Sequence, residues 1–283
     1  MPLFQRAYTR WQGERTAPGR RFLVIMDEGL RAALRSRWVW ILLAATAIHL
    51  AIRIGILYFT SRIPGGGGDF LPRFNAAFMA DALGFQAQWV LMVLLALVAA
   101  GTLARDLQVG ALQFYFSKPI TRTGYAIGKL LPPFVLGMGV TALPALVLWV
   151  AGVAFTPGPQ LPDGYGWMPL QLLAAATLAC GTASVVAVAL SGIVRHARLA
   201  AIAWVAVAFL SNPAALLIHE ITRATGPYLL GFFFVLDETT RWLLGATGGR
   251  DVPTGGAWLV LLAWWAAGLA SLWWVLRDPE VAA

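Results

Sequence analysis

Charge is scarce in this chain. Only 12% of its 283 residues are Asp, Glu, Lys or Arg, about half the share usual in a soluble domain. Cysteine is nearly missing too. The single Cys180 sits inside an apolar run, which excludes an intramolecular disulfide and leaves no basis for a metal–thiolate cluster. Three histidines, His49, His196 and His219, lie in separate segments without an i,i+4 partner, so the spacing supports no metal site. His219-Glu220 does not open a zinc-protease motif, because position 223 is Arg. No G-x-x-x-x-G-K-[S/T] phosphate loop is present. Gly124-Tyr-Ala-Ile-Gly128-Lys129 is one residue short and runs on into Leu130, so it lacks both the phosphate cradle and the magnesium hydroxyl. The residues give the chain no ATPase and no bound cofactor of its own.

Apolar surface dominates what remains. Hydrophobic residues make up 59% of the chain, and the mean hydropathy is +0.71. A chain of this length cannot wrap so much apolar surface in water, so lipid must be the solvent for most of it. The expected fold is all-α integral membrane. A bilayer core of about 30 Å takes about 20 apolar residues of helix, and six stretches qualify: 38–59, 76–104, 130–155, 168–194, 199–218 and 257–276. Two arginines at Arg195 and Arg198 keep the fourth and fifth apart, because both would be costly at membrane depth. The domain reading is a cytoplasmic N-terminus over 1–37, a six-helix transmembrane domain over 38–276 and a cytoplasmic tail over 277–283.

Basic residues set the orientation, since Lys and Arg are retained on the cytoplasmic side. With the N-terminus inside, Arg6, Arg10, Arg15, Arg20, Arg21, Arg31, Arg35 and Arg37 precede span one. Arg105, Lys118, Arg122 and Lys129 fall between spans two and three, Arg195 and Arg198 between four and five, and Arg277 in the tail. Only Arg62, Arg73, Arg223, Arg241 and Arg250 fall outside, and Arg53 lies within span one. The expected topology is therefore N-in/C-in. The net charge of +8 is what this asymmetry produces. Without a basic, aromatic-interleaved module, it does not indicate nucleic-acid binding.

Ahead of the first span, 21–37 reads as an amphipathic helix lying along the inner lipid surface, with Leu23, Met26, Leu30 and Leu34 on one face and Asp27, Glu28, Arg31 and Arg35 on the other. A simple charged anchor is the alternative. Gly65–Gly68 makes the first outer loop flexible, and Pro157, Pro159 and Pro162 stiffen the second. The third outer loop holds an apolar run, 228–236, too short to span. Bounded by Gly226-Pro227 and Asp237-Glu238, it reads as an outer half-membrane helix between spans five and six. Pro132, Pro133 and Pro144 should make the third span irregular, and Asn212-Pro213 the fifth. Ala175, Ala179 and Ala183, four residues apart, favour close packing of the fourth span inside the bundle.

Two groups of residues are candidates for function. Arg53 lies about one and a half turns from the outer end of span one, with His49 on its face and Asp81 at similar depth in span two. Either Arg53 pairs with Asp81 and fixes these helix ends, or it snorkels to the interface. The second group is the loop after span two, from Arg105 to Pro119. Asp106 can cap a short helix and Pro119 ends it, while Leu107, Ala111 and Tyr115 on one side and Val109, Leu112 and Phe116 on another make it apolar on two faces. One face can rest on the membrane domain; the other asks for a partner protein. A plain turn anchored by Lys118 and Arg122 is the alternative.

This loop resembles the permeases of the type 2 ABC transporter family, whose corresponding segment carries an acidic residue, a Gly-(Thr)-Leu step, a Ser-x-Pro-x-x-Arg motif and Gly-Lys at the mouth of span three. The matching residues are Asp106, Gly110-Ala111-Leu112, Ser117-Lys118-Pro119-Ile120-Thr121-Arg122 and Gly128-Lys129, with Ala111 where Thr is usual and Asp106 where Glu is common. The opening from Glu28 to Trp38 is most similar to the subgroup tied to multicopper-enzyme maturation and nitrous-oxide reductase assembly. The resemblance implies a cytoplasmic coupling helix over 106–117 docked on a separate ATPase subunit that holds the ATP and Mg. It also implies a second permease copy or paralogue and a bacterial inner membrane location. The coupling residues it implies are Asp106, Gly110, Leu112, Phe116, Ser117, Pro119, Arg122 and Lys129. The expected function is ATP-driven export of an apolar or amphipathic cargo. The other readings are a conformational relay acting on an extracytoplasmic partner and an intramembrane enzyme, for which only Arg53, His49 and Asp81 stand at one depth.

Overall fold

The computed structural model describes residues 20–63, 73–118, 120–155, 166–247 and 249–277. Residues 1–19, 64–72, 156–165 and 278–283, with Pro119 and Gly248, lie outside them. Every regular element among the described residues is helical, and six helices are long and apolar enough to cross a membrane: Arg37–Arg62, Ala76–Gln108, Arg122–Phe155, Met168–Val194, Ala197–Thr222 and Thr254–Arg277. The chain is an all-α, multi-pass membrane protein. Six crossings place Arg20 and Arg277, the first and last described residues, at one end of the bundle, which also carries most of the described basic residues and is called the basic end below.

Helix α1 (Phe22–Leu34) is held against the start of span three. Ile25 and Ala33 are buried, and a Cβ at Gly128 would stand 2.8 Å from Ile25 Cβ, so only glycine admits this approach. Leu23, Val24 and Leu34 stay exposed, leaving an apolar strip for lipid beside the Arg31–Asp27 pair at 2.8 Å. Span one is α2 (Arg37–Arg62). It is largely uncovered, with Trp40, Ile48, Ile52 and Phe59 exposed.

Span two is segmented. It comprises α3 (Ala76–Phe85), a π-helical stretch Gln86–Leu91, α4 (Met92–Val98) and α5 (Thr102–Gln108). The backbone breaks at 99–101, where both Ala99 and Ala100 donate to the Leu95 carbonyl. The freed amides of Leu103 and Ala104 find Ser191 Oγ of span four, at 3.1 and 2.9 Å. A polar side chain from another helix thus repairs the break.

Span three, α7 (Arg122–Phe155), is one helix despite its three prolines. Pro132, Pro133 and Pro144 are all buried, so surrounding helices keep the segment in line where the sequence suggested a break. Span four, α8 (Met168–Val194), is the central post. Ala175, Ala179 and Ala183 are fully buried, as close packing requires. Span five combines α9 (Ala197–Val205), a π-helical stretch Ala206–Leu210 and α10 (Ser211–Thr222). The wide turn sits where Pro213 removes a donor and its ring crowds the carbonyl one turn back. Span six is α12 (Thr254–Arg277). Its deep Trp265 donates to Thr182 Oγ1 of span four at 2.9 Å, and Trp264 packs edge-on to Phe232.

Between spans five and six the apolar run is divided rather than forming one element. A 3-10 turn covers Gly226–Leu230, Gly231 is extended, and α11 runs Phe232–Leu244. Asp237 and Glu238, expected as the boundary, lie inside α11. Phe232 meets Trp264 near the middle of α12, so α11 starts at mid-bundle and runs toward the loop end. Its first amides are capped by span five: Phe232 N–H donates to Ser211 Oγ at 3.0 Å, and Phe233 N–H to Asn212 Oδ1 at 3.2 Å. With these donors satisfied, a helix end can stand at membrane depth.

Candidate functional site

The loop after span two is built differently from its sequence reading. Asp106 caps nothing; it lies inside α5, the last turns of span two. The chain then reverses at Gly110, whose φ of +65° belongs to the left-handed region that glycine adopts without strain. The loop helix itself is α6 (Ala111–Phe116), closed by Ser117, whose Oγ donates to the Phe114 carbonyl at 2.9 Å.

Asp106 is the anchor. Its Oδ2 lies 2.6 Å from Lys129 Nζ and accepts from the Tyr125 hydroxyl at 2.6 Å. Both partners come from one face of span three, four residues apart. Tyr125 is fully buried and packs against the rings of Tyr115 and Phe116 at 5.1 and 5.8 Å. Lys129 Nζ stands 5.7 Å from the Tyr115 ring and 5.6 Å from that of Tyr125, and Arg122 covers Phe116 at 6.0 Å. Burial, reinforced by the Asp106 and Glu28 carboxylates, pushes the Tyr115 phenol up. Sequence reasoning missed Tyr125, although its i,i+4 relation to Lys129 was the signal.

Leu112 and Phe116 do not face outward together. Leu112 is 3% exposed and belongs to the main core cluster, while Phe116 lies against Tyr125 and Arg122. The uncovered apolar groups are Val109, at 73%, and Phe114, at 75%. Helical geometry explains the split: Leu112, Tyr115 and Phe116 share the inner face at three- and four-residue spacing, and Phe114 falls opposite. Of the remaining residues assigned to this loop, Pro119 lies outside the described residues.

The second candidate group lies at the other end. Asp81 does find an arginine, but it is Arg241 of α11 rather than Arg53. Arg241 also donates from Nε to Asp237 Oδ2 at 2.9 Å. Burial explains the choice: Arg241, 13% exposed, demands carboxylate partners, and α11 passes beside α3. Arg53 donates from Nε to His49 Nε2 at 3.2 Å and covers the Phe78 ring at 5.1 Å. His49 stacks on Phe85 and meets the Gln86 amide through Nδ1 at 3.0 Å. Arg53, Asp81, Asp237, Arg241 and Arg250 nevertheless line one cavity of about 250 Å³. No group of three His, Cys, Asp or Glu side chains that could hold a metal occurs among the described residues, and these groups form no nucleophile–base set.

No protein-family model matches this chain, and no curated protein does either.

Proposed function

We propose that this chain is the membrane subunit of an ATP-driven transporter, coupled through α6 to a separate ATPase on the cytoplasmic side of a bacterial inner membrane. The observation that carries the reading is an exposed apolar pair, Val109 at the turn after α5 and Phe114 on a loop helix braced from behind. An apolar tip at a soluble end, on a helix whose inner face is already packed, is suited to bind a protein partner. The brace is what force transmission needs. A push on α6 reaches α5 across the Gly110 turn, span three through Asp106–Lys129, and span four through the amides held by Ser191. The joint at 99–101 lets α5 and α6 move without bending the rest of span two. The basic-residue asymmetry supports placing this end in the cytoplasm.

A second copy or paralogue would complete the transporter, and the uncovered face of span one offers room for it beside lipid. The cargo favoured is apolar or amphipathic. The test is a photo-crosslinking amino acid at position 114 in intact membranes, with adducts identified by mass spectrometry. A nucleotide-binding ATPase in the adduct is expected. Adducts confined to lipid or to a second copy of this chain would overturn the reading.

A further inference from the structure

The cavity between spans one and two and α11 carries more positive than negative charge, and the carboxylates are already engaged. Asp81 and Asp237 both bind Arg241. Arg53 and Arg250 line the same cavity with no carboxylate within ion-pair reach among the described residues. Their contacts are uncharged: Arg53 with His49 and the Phe78 ring, Arg250 over the Phe234 ring at 4.3 Å. Arg53 is set into a membrane span and feels only the Asp81 charge, which Arg241 already pairs, and intramembrane arginines of this kind mark ligand sites. Arg250 joins it from the exposed loop before span six, and each guanidinium carries a fork of donors that fits oxyanions.

The rest of the lining adds direction. Asp81, Arg241 and Arg250 come from the loop-end parts of their segments, whereas Ala87, Ala179 and Phe233 come from deeper turns. One end of the cavity is charged and the other apolar. About 250 Å³ is below the usual range for whole drug-sized ligands, and suits a head group with the first carbons attached.

We infer that this cavity binds the oxyanion group of a ligand, a phosphate or carboxylate, held by Arg53 and Arg250 with its apolar part toward Phe233. The site stands on its own charges and is independent of the coupling proposal. It predicts a preference for acidic amphiphiles at the outer leaflet, or for the free anion.

The experiment uses the full chain in phosphatidylcholine nanodiscs, with and without a minority of phosphatidic acid. Lipid retained on the protein is counted by native mass spectrometry, and inorganic phosphate is titrated calorimetrically in phosphatidylcholine discs. Retention of phosphatidic acid over phosphatidylcholine, reduced about tenfold in R53Q and about threefold in R250Q, establishes a membrane-borne ligand. Binding of inorganic phosphate, weakened in the same variants, establishes a free one. R223Q, in the exposed Arg223–Glu220 pair outside the cavity, should bind as the unaltered protein does. Should R53Q fail to fold, R250Q on its exposed loop carries the test alone. Absence of preference for either probe, or binding unchanged in the variants that fold, overturns the inference.

Discussion

Lys129 Nζ lies 2.6 Å from Asp106 Oδ2, joining the basic ends of spans two and three just behind the loop helix. Both side chains are about one-sixth exposed, so this is a largely desolvated pair, and removing either partner strands a charge. Asp106→Asn and Lys129→Met should each lower stability by about 1–3 kcal/mol, read as thermal unfolding in detergent. The double variant should lose markedly less than the two single losses combined. Additive losses would show that the two groups do not interact.

Tyr125→Phe removes only the hydroxyl that donates to Asp106. The ring contacts with Tyr115 and Phe116 remain, so the expected loss is about 1 kcal/mol in the same unfolding assay. A loss as large as that of Asp106→Asn would mean the hydroxyl, rather than Lys129, is the main partner.

Val109 and Phe114 against Leu112 separates docking from folding. Phe114→Asp places a charge on an exposed position and should leave expression and melting unchanged while abolishing co-purification of the proposed ATPase. Leu112→Asp buries a charge in the core and should prevent folding. If Leu112→Asp folds and binds while Phe114→Asp unfolds, the assignment of faces on α6 is reversed.

These contrasts show where sequence patterning was sufficient. The six spans follow from apolar run length, with Arg195 and Arg198 needed to part the fourth from the fifth, because lipid allows few alternatives for about twenty mostly apolar residues. The faces of α6 did not follow, since six residues give less than two turns and both sides carry apolar groups. Only the burial of Leu112 in the main core, with Phe114 left exposed, decides between them. Arg53 and Asp81 were rightly placed near one another in depth, but of the two readings left open the direct pair does not form, because Asp81 is taken by Arg241, 160 residues beyond it in the chain on a half-helix whose start was misplaced. Gly231 and the caps from Ser211 and Asn212 define that start, and caps contributed by another span leave no local signature.

The Asp81–Arg241 pairing can be checked directly. A double-mutant cycle on Arg241→Ala and Asp81→Ala should show coupling of about 0.5–1 kcal/mol, modest because Asp81 is half exposed. The corresponding cycle on Arg53→Ala and Asp81→Ala should be additive within about 0.5 kcal/mol. Unfolding midpoints of the purified variants provide both numbers. Stronger coupling to Arg53 than to Arg241 would restore the pair that sequence depth suggests.

Ser191 offers the sharpest test of how α5 is held. Its hydroxyl oxygen accepts from two consecutive amides of span two, Leu103 and Ala104, and is fully buried. Ser191→Ala leaves two buried donors without partners, at a cost of about 1–3 kcal/mol each if nothing replaces the oxygen. The effect should be local, because the segments above the joint at 99–101 keep their own ladders. Hydrogen exchange followed by mass spectrometry should therefore show the amides of α5 exchanging at least about thirtyfold faster, with α3 and α4 unchanged. Faster exchange throughout span two would mean that the joint does not uncouple α5 from the rest of the span. A push on α6 would then bend the whole helix instead of passing sideways into span four.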